Sequence, residues 1–489
     1  MVNKDSIALL PLDDRPVSYL LPKQIADFSG VNLILPERKY LGDLNHGSDL
    51  KYIDNWCRGV LQYAPTFVVS LDSWVYGGLV QSRKHDFTLD ELKKRVSALA
   101  GGEVPGSRLQ NVYGFSSIMR IPNYNSSEEE KDYWKDYGES IFKWSELMHK
   151  VGRGITEKGT SHEELLEKWY ESSKSIPVNV LADYKRHRDK NLTVNLLWIE
   201  LSHDKCFECL IFSCDDSSRY GMNVIEAEYI KREIKKHRFS DLAKVISGTD
   251  EISLVLMTKA NLKSQDKKPS LCLFFNSIEG KTQIPRYESN TIHESIKDQI
   301  DTLGLEIKDL NESDILVCIH LSDSVQGDHI FKIKPCDTSK NIEELKNMLE
   351  KINKPFILID LAYANGSDPQ LIEALINSKI NWDHCYGYAG WNTCSNSTGS
   401  ALAIGINRWI AEKNSSFNKI AFKKCLLTRF LDDYAYQAQI RHVGITEKEI
   451  NKKIMPHVQA FSKLLGINDI KVKCSLPWKR TFEAEIDVI

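Results

Sequence analysis

The chain has 489 residues, 42% hydrophobic and 27% charged, with a formal net charge of −3. That length exceeds one small domain and allows a large core. The charge balance gives no basic field to recruit nucleic acid or an anionic membrane, and with no run of about 18 apolar residues nothing is expected to span a bilayer.

From the first residues the chain alternates short apolar runs with helical patterns. Strands are expected near 7–12, 31–36, 66–71, 111–118, 207–214 and 244–248, with helices such as Asp49–Gln62 and Leu89–Leu99 between them. Ala8–Leu12 is too short an apolar run for a signal peptide, and Asp13 follows it at once. Between the fourth and fifth strands lies a charged, aromatic insertion, 121–205. Its helices are expected near 127–152, 162–174 and 177–203, the first opened by Ser126, Ser127 and three glutamates. After Glu251 a helix runs to about Leu262, and the polar segment Lys263–Pro269 reads as a linker. Strand 270–276, helix 291–303, strand 314–320, helix 340–352 and strands 355–360 and 384–390 follow. The region 413–489 reads as helical, ending in Pro477-Trp478-Lys479-Arg480-Thr481-Phe482-Glu483.

Strand–helix alternation implies an α/β fold with parallel strands and right-handed crossovers. Two arrangements fit. In the expected one, a (β/α)8-type barrel, residues 1–262 supply six β/α units and 341–412 the last two. Residues 263–340 are then an inserted α/β domain. In the alternative, 1–262 and 263–410 are separate domains. The barrel is preferred because it gathers the polar strand ends into one ring.

Those ends carry the chemistry. Phe207–Cys214 runs into Asp215-Asp216-Ser-Ser-Arg219-Tyr220-Gly221. Ser6–Leu12 runs into Asp13-Asp14-Arg15-Pro16, Phe67–Leu71 into Asp72-Ser-Trp74-Val-Tyr76-Gly-Gly78, and Val112–Met119 into Arg120. Lys244–Ser247 ends in Gly248-Thr249-Asp250-Glu251, Phe356–Ile359 in Asp360 followed by Tyr363 and Asn365, and His384–Tyr388 in Gly390-Trp391-Asn392-Thr393. A single Asp after a strand is ordinarily a helix N-cap. Repetition of polar endings favours a shared pocket. Adjacent carboxylates such as Asp215 and Asp216 repel, so one holds its proton longer, which is what acid–base catalysis uses. Adjacent strand residues face opposite ways, so both reach one pocket only if the chain curls at the strand end. Gly390–Gly399 also reads as a loop leading into a helix N-terminus, a place for an anion.

The eleven cysteines have no framework spacing, and Cys206 and Cys209 form the only close pair. Reduced thiols and a cytoplasmic setting are expected. Histidines form no HxH or HExxH pattern, so no metal is assigned.

Pro11-Leu-Asp-Asp-Arg-Pro16, Ser70-Leu-Asp-Ser-Trp-Val-Tyr-Gly-Gly78, Ile284-Pro-Arg-Tyr-Glu288, Tyr388-Ala-Gly-Trp-Asn-Thr393 and the Asp215-Asp216…Tyr220-Gly221 signature together resemble an uncharacterised bacterial family known as domain of unknown function 4127. Ser247-Gly-Thr-Asp-Glu251 departs mildly from the Gly-Ala-Asp-Glu expected there. The Asp215-Asp216 pair also resembles the adjacent acids of glycosidases that cleave N-acetylhexosamines by substrate assistance. That resemblance implies Asp216 as general acid and Asp215 as the carboxylate that orients the 2-acetamido group.

The expected activity is therefore hydrolysis of a glycosidic bond in an amino sugar or short glycan, with a small-molecule carbohydrate as substrate, no nucleic acid or membrane partner, and no cofactor. Asp13, Asp14, Arg15, Asp72, Tyr76, Arg120, Asp250, Glu251, Tyr363, Asn365, Trp391 and Asn392 are the expected substrate-binding residues. Two alternatives use the same residues: a Mg²⁺- or Mn²⁺-dependent hydrolase or phosphotransfer enzyme, and a non-catalytic small-ligand binding protein.

Overall fold

The computed structural model describes residues 6–100, 111–156, 159–204, 206–266, 268–335 and 338–489. All ten expected strands form. The first six are β1 (Ser6–Leu10), β2 (Asn32–Ile34), β3 (Thr66–Ser70), β4 (Val112–Ile118), β5 (Cys209–Cys214) and β6 (Ala243–Ser247). They make one parallel sheet in the order β2-β1-β3-β4-β5-β6. The next four are β7 (Leu271–Phe275), β8 (Ile315–His320), then, after the two-residue β9 (Gly327–Asp328), β10 (Phe356–Asp360), and, after the two-residue β11 (Tyr363–Ala364), β12 (Cys385–Ala389). They make a second parallel sheet, β12-β10-β8-β7, while β9 and β11 pair with each other. Every residue of β1, β4, β8, β10 and β12 is buried, as expected of strands covered on both faces.

No closed barrel is present among the described residues. β10 pairs with β8 and β12 rather than with the first sheet, so residues expected to close the barrel and residues expected to be an insertion share one sheet. Both sheets stay open because two helices lie between them. Helix Ile252–Lys263 packs on β1, β3, β4 and β5 and against helix Cys394–Lys413, which in turn covers β10 and β12. Both helices are buried almost all round, which removes the polar stripe of an ordinary surface helix. On the far face of the first sheet lie helices Leu50–Val60, Leu89–Ala100, Val178–Leu201 and Met222–Lys236, with their own core around Trp198, Phe67 and Phe212.

The insertion between β4 and β5 holds helices Trp134–Arg153, His162–Lys174 and Val178–Leu201. The first begins at Trp134, not near Ser127, because Glu129 and Glu130 are taken by buried arginines instead of opening a helix. The region 413–489 is only partly helical. It carries Lys419–Arg429, a π-helix Phe430–Ile440, two short helices, and an antiparallel hairpin, β13 (Val472–Ser475) with β14 (Glu485–Val488). Among the described residues no helix is long and apolar enough to cross a membrane, and ten cysteines are free. Cys336 lies outside the described residues.

The contact between the two central helices is close enough to test. A Cβ on Gly399 would overlap the Glu251 side chain and crowd Val255. Gly399→Ala is expected to cost about 1–3 kcal/mol, the usual range for overpacking, read as a lower urea midpoint.

Candidate active site

Each element of the site begins at a strand end. β1 gives way to Pro11–Arg15, and Pro16 then sets the first turn of helix Pro16–Ser29. Arg15 stays extended before it, with φ −62° and ψ 154°. Its guanidinium donates to Asp13 Oδ2 at 2.8 Å and grips Asp250, beyond β6, with both terminal nitrogens at 2.6 and 3.2 Å. This two-pronged bond ties the end of β1 to the end of β6. Burial pushes Asp250 up to about 6 although Arg15 opposes the shift. Asp14 accepts from the Trp478 indole at 2.7 Å, and burial raises it to about 6.

At the end of β5 the chain does curl. Asp216 takes φ 34°, in the left-handed region, so the two neighbouring aspartates reach one cavity with side chains 19% and 27% exposed. Their partners are not Arg219, whose guanidinium lies over the Tyr220 ring. Asp215 pairs with Arg83, and Asp216 with Arg120 at 2.6 Å. Burial first, and then the Asp215 charge, raise Asp216 to about 7. Arg83 sits on the short helix Leu79–Lys84, whose preceding Gly78 has φ 140°, a conformation open to glycine.

Glu129 joins these pairs. It lies 2.8 Å from Arg83, 2.7 Å from Arg120 and 2.6 Å from Arg480, which follows β13. Burial works against its charge, but the surrounding guanidiniums win and hold its pKa well below the usual carboxylate range. Arg120 also takes Glu130 at 2.9 Å, and Arg480 takes Glu483.

These groups line a cavity of about 440 Å³. It lies outside the carboxyl ends of β1, β3, β4, β5 and β6, a span that includes the point between β1 and β3 where strand order reverses, a common ligand position in open α/β folds. The second sheet supplies Asn392 after β12. Asn365, after β11, stands beside it. Both are left-handed, at φ 50° and 61°, and the Asn365 amide donates to the Asn392 carbonyl at 2.8 Å. Tyr287 donates to buried Asp328 at 2.7 Å. Arg441 and Phe482 complete this wall.

Of the expected residues, Arg15, Arg120, Asp215, Asp216, Asp250, Asn365 and Asn392 line the cavity. Trp391 lines an adjoining recess that shares Arg15 and Arg441. The others serve the frame. Asp13 holds Arg15. Asp14 holds Trp478. Asp72 is fully buried, accepts the Ser117 amide at 2.8 Å, and is raised by burial to about 7. Tyr76 stacks on His85. Tyr363 stacks on His329 with ring centroids 4.2 Å apart. Glu251 lies between the sheets, bonded to Gln299 at 2.7 Å, and burial pushes it up to about 8. The expected anion place at the N-terminus of helix Cys394–Lys413 is filled by Glu288, which accepts the Ser395 amide at 2.6 Å.

Sequence reasoning missed Arg83, Glu129, Tyr287, Arg441, Arg480 and Phe482. Tyr287 lies in the quoted Ile284–Glu288 motif, and Arg480 and Phe482 in the aromatic, charged stretch after Pro477. Arg83 and Arg441 carried no signal beyond being cations in helical patterns. Among the described residues no group of three or more His, Cys, Asp or Glu side chains is placed to hold a metal ion.

Glu129→Gln leaves three guanidiniums short of charge, and stability is expected to fall by about 3 kcal/mol, the lower range for breaking a buried ion pair, read by denaturant unfolding. Glu251 titrates near 4.5 when unfolded and about 8 when folded. A raised acid favours the fold fully below 4.5, and that advantage is lost as pH rises through about 8. In Glu251→Gln the side-chain oxygen can keep the Thr249 amide while the new NH2 faces Gln299, whose amide must then flip to present its unpartnered Oε1. The thermal midpoint of the wild type is expected to fall across this window more steeply than that of the variant.

Residues 7–487 match the family described as "Protein of unknown function (DUF4127)". No curated protein and no solved structure matches the chain. The family match includes every segment that lines the cavity, from Arg15 to Phe482. The chain belongs to the DUF4127 family.

Proposed function

We propose that this protein hydrolyses a glycosidic bond of an amino sugar or short glycan, with Asp216 as general acid and Asp215 as the carboxylate that orients the 2-acetamido group. The observation that carries this reading is the left-handed turn at Asp216, which brings both carboxylates into one polar cavity. A carboxyl raised to about 7 is suited to hold and deliver a proton near neutral pH. A volume of about 440 Å³ suits a sugar residue with part of its aglycone, and Tyr287 and Phe331 bring aromatic rings to the cavity for sugar C–H surfaces.

In the proposed reaction the acetamido oxygen bonds to the anomeric carbon as the bond from that carbon to the leaving oxygen breaks. Asp216 gives its proton to the leaving oxygen. Asp215 accepts a hydrogen bond from the acetamido N–H. Water then attacks the anomeric carbon, returning a proton to Asp216 and releasing the acetamido oxygen. No cofactor is required. The carboxylates that a divalent cation would use face arginines, so the metal-dependent reading has less support. The free thiols suit a reducing, cytoplasmic setting.

The test is turnover of a panel of aryl and alkyl N-acetylhexosaminides. Asp216→Asn is expected to cost roughly 10²- to 10⁴-fold on alkyl glycosides, the usual contribution of a general acid, and less on nitrophenyl glycosides, whose leaving group needs little help. Since the acid acts protonated, kcat/KM is expected to be intact below, and to decline as pH rises through, about 7. Full turnover by Asp216→Asn, or by Asp215→Asn on N-acetyl substrates, would rule the mechanism out.

A further inference from the structure

Five arginines line the cavity: Arg15, Arg83, Arg120, Arg441 and Arg480. Four are neutralised by the protein itself, each with a carboxylate oxygen within 3 Å. Arg441 differs. Among the described residues it has no ion pair, and its guanidinium makes one hydrogen bond, to Gln437 Oε1 at 2.8 Å. Its remaining N–H donors have no hydrogen-bond partner among the described residues. Its planar face lies 5.0 Å from the centroid of Phe482, which fixes the fork without compensating the charge. The group is half-buried, and burial lowers its pKa from the ordinary arginine value although Tyr436, Glu483 and Asp432 oppose the shift. No carboxylate lies within ion-pair distance of it among the described residues, so Glu483 and Asp432 compensate it only at longer range, and an anion from outside the chain would stabilise it further.

Position points the same way. Arg441 lines both the main cavity and the recess that Trp391 and Gln24 line. It follows directly on the π-helix Phe430–Ile440, whose Gln437 amide donates to Asp432 Oδ1 at 3.4 Å and to the Phe482 carbonyl at 3.1 Å. Its partner Gln437 is thus fixed on two sides. A preformed fork with unused donors fits a two-oxygen anion better than a hydroxyl.

We propose that the ligand of this cavity is an anionic sugar, bearing a carboxylate or a phosphate that Arg441 receives. This deepens the hydrolase reading and rests on the same cavity being the substrate site. The common chemistry is an oxyanion presented to a guanidinium fork, and Arg441 is a specificity-determining residue rather than a catalytic one.

Binding separates this from turnover. The full-length protein is titrated calorimetrically with glucuronic acid, glucose 6-phosphate and glucose. At least one acidic sugar is expected to bind about tenfold or more tighter than glucose, in keeping with one charge-assisted hydrogen-bonded pair. Comparison of the two acids tells carboxylate from phosphate. Arg441→Ala is expected to erase the preference, and Arg441→Lys, which keeps the charge and loses the fork, to retain part of it. Both variants are checked for an unchanged unfolding midpoint, and Arg441→Lys decides the matter if Arg441→Ala is unstable. Equal binding of glucose and both acids, binding of none, or a preference untouched by both variants overturns the proposal. An anion preference that depends on Arg441, with no glycoside turned over, keeps this inference and removes the hydrolase reading. Turnover of neutral N-acetylhexosaminides without any anion preference does the reverse.

Discussion

One carboxylate organises the site. Glu129 accepts from arginines that arrive from three separate parts of the chain: Arg83 from the short helix after β3, Arg120 from the end of β4 and Arg480 from the hairpin that follows β13. Two of these arginines in turn hold Asp215 and Asp216. The aspartates are therefore oriented through a continuous ladder of alternating charge. Such a ladder tolerates burial only as a whole, since each ion is stabilised by the next and is expensive alone. It also explains why Glu129 forfeits the helix start that its sequence context favours.

Arg15 plays the matching part at the end of β1. By binding Asp13 and Asp250 together it closes β1 onto the turn after β6, across the strands between them. The cavity floor is thus fixed by electrostatics at the strand ends, while apolar packing of helices Ile252–Lys263 and Cys394–Lys413 fixes the two sheets beneath it.

The strands were legible because fully buried parallel strands are short apolar runs, and the turns after them are polar for reasons of geometry. Their partners were not legible. A strand covered on both faces shows no alternation, so β10 reads the same whether it pairs with β8 or closes a barrel. The strand-end rule found Asp215, Asp216, Arg15, Arg120 and Asp250 but also gathered Asp72, Glu251 and Tyr363, which satisfy neighbours inside the frame. Backbone direction after the strand contributes to the separation, since Asp216, Asn365 and Asn392, all of which line the cavity, take left-handed conformations. Arg83 and Arg441 escaped because a cation in a helical pattern is nearly always solvated, and only tertiary neighbours reveal the exceptions.

The hairpin β13–β14 brings Trp478 to Asp14, a bond that spans 464 positions. During synthesis the N-terminal half of this molecule is made long before residues 478–483 exist. Until they arrive, Glu129 lacks Arg480 and Asp14 lacks its indole donor. Before then the strand ends of the first sheet also lack Phe482, which lines the cavity with Arg480. The last long-range closure, slow by its sequence separation, then turns a set of strand ends into a finished cavity. Until residues 478–483 are made, a nascent chain lacks part of the cavity wall.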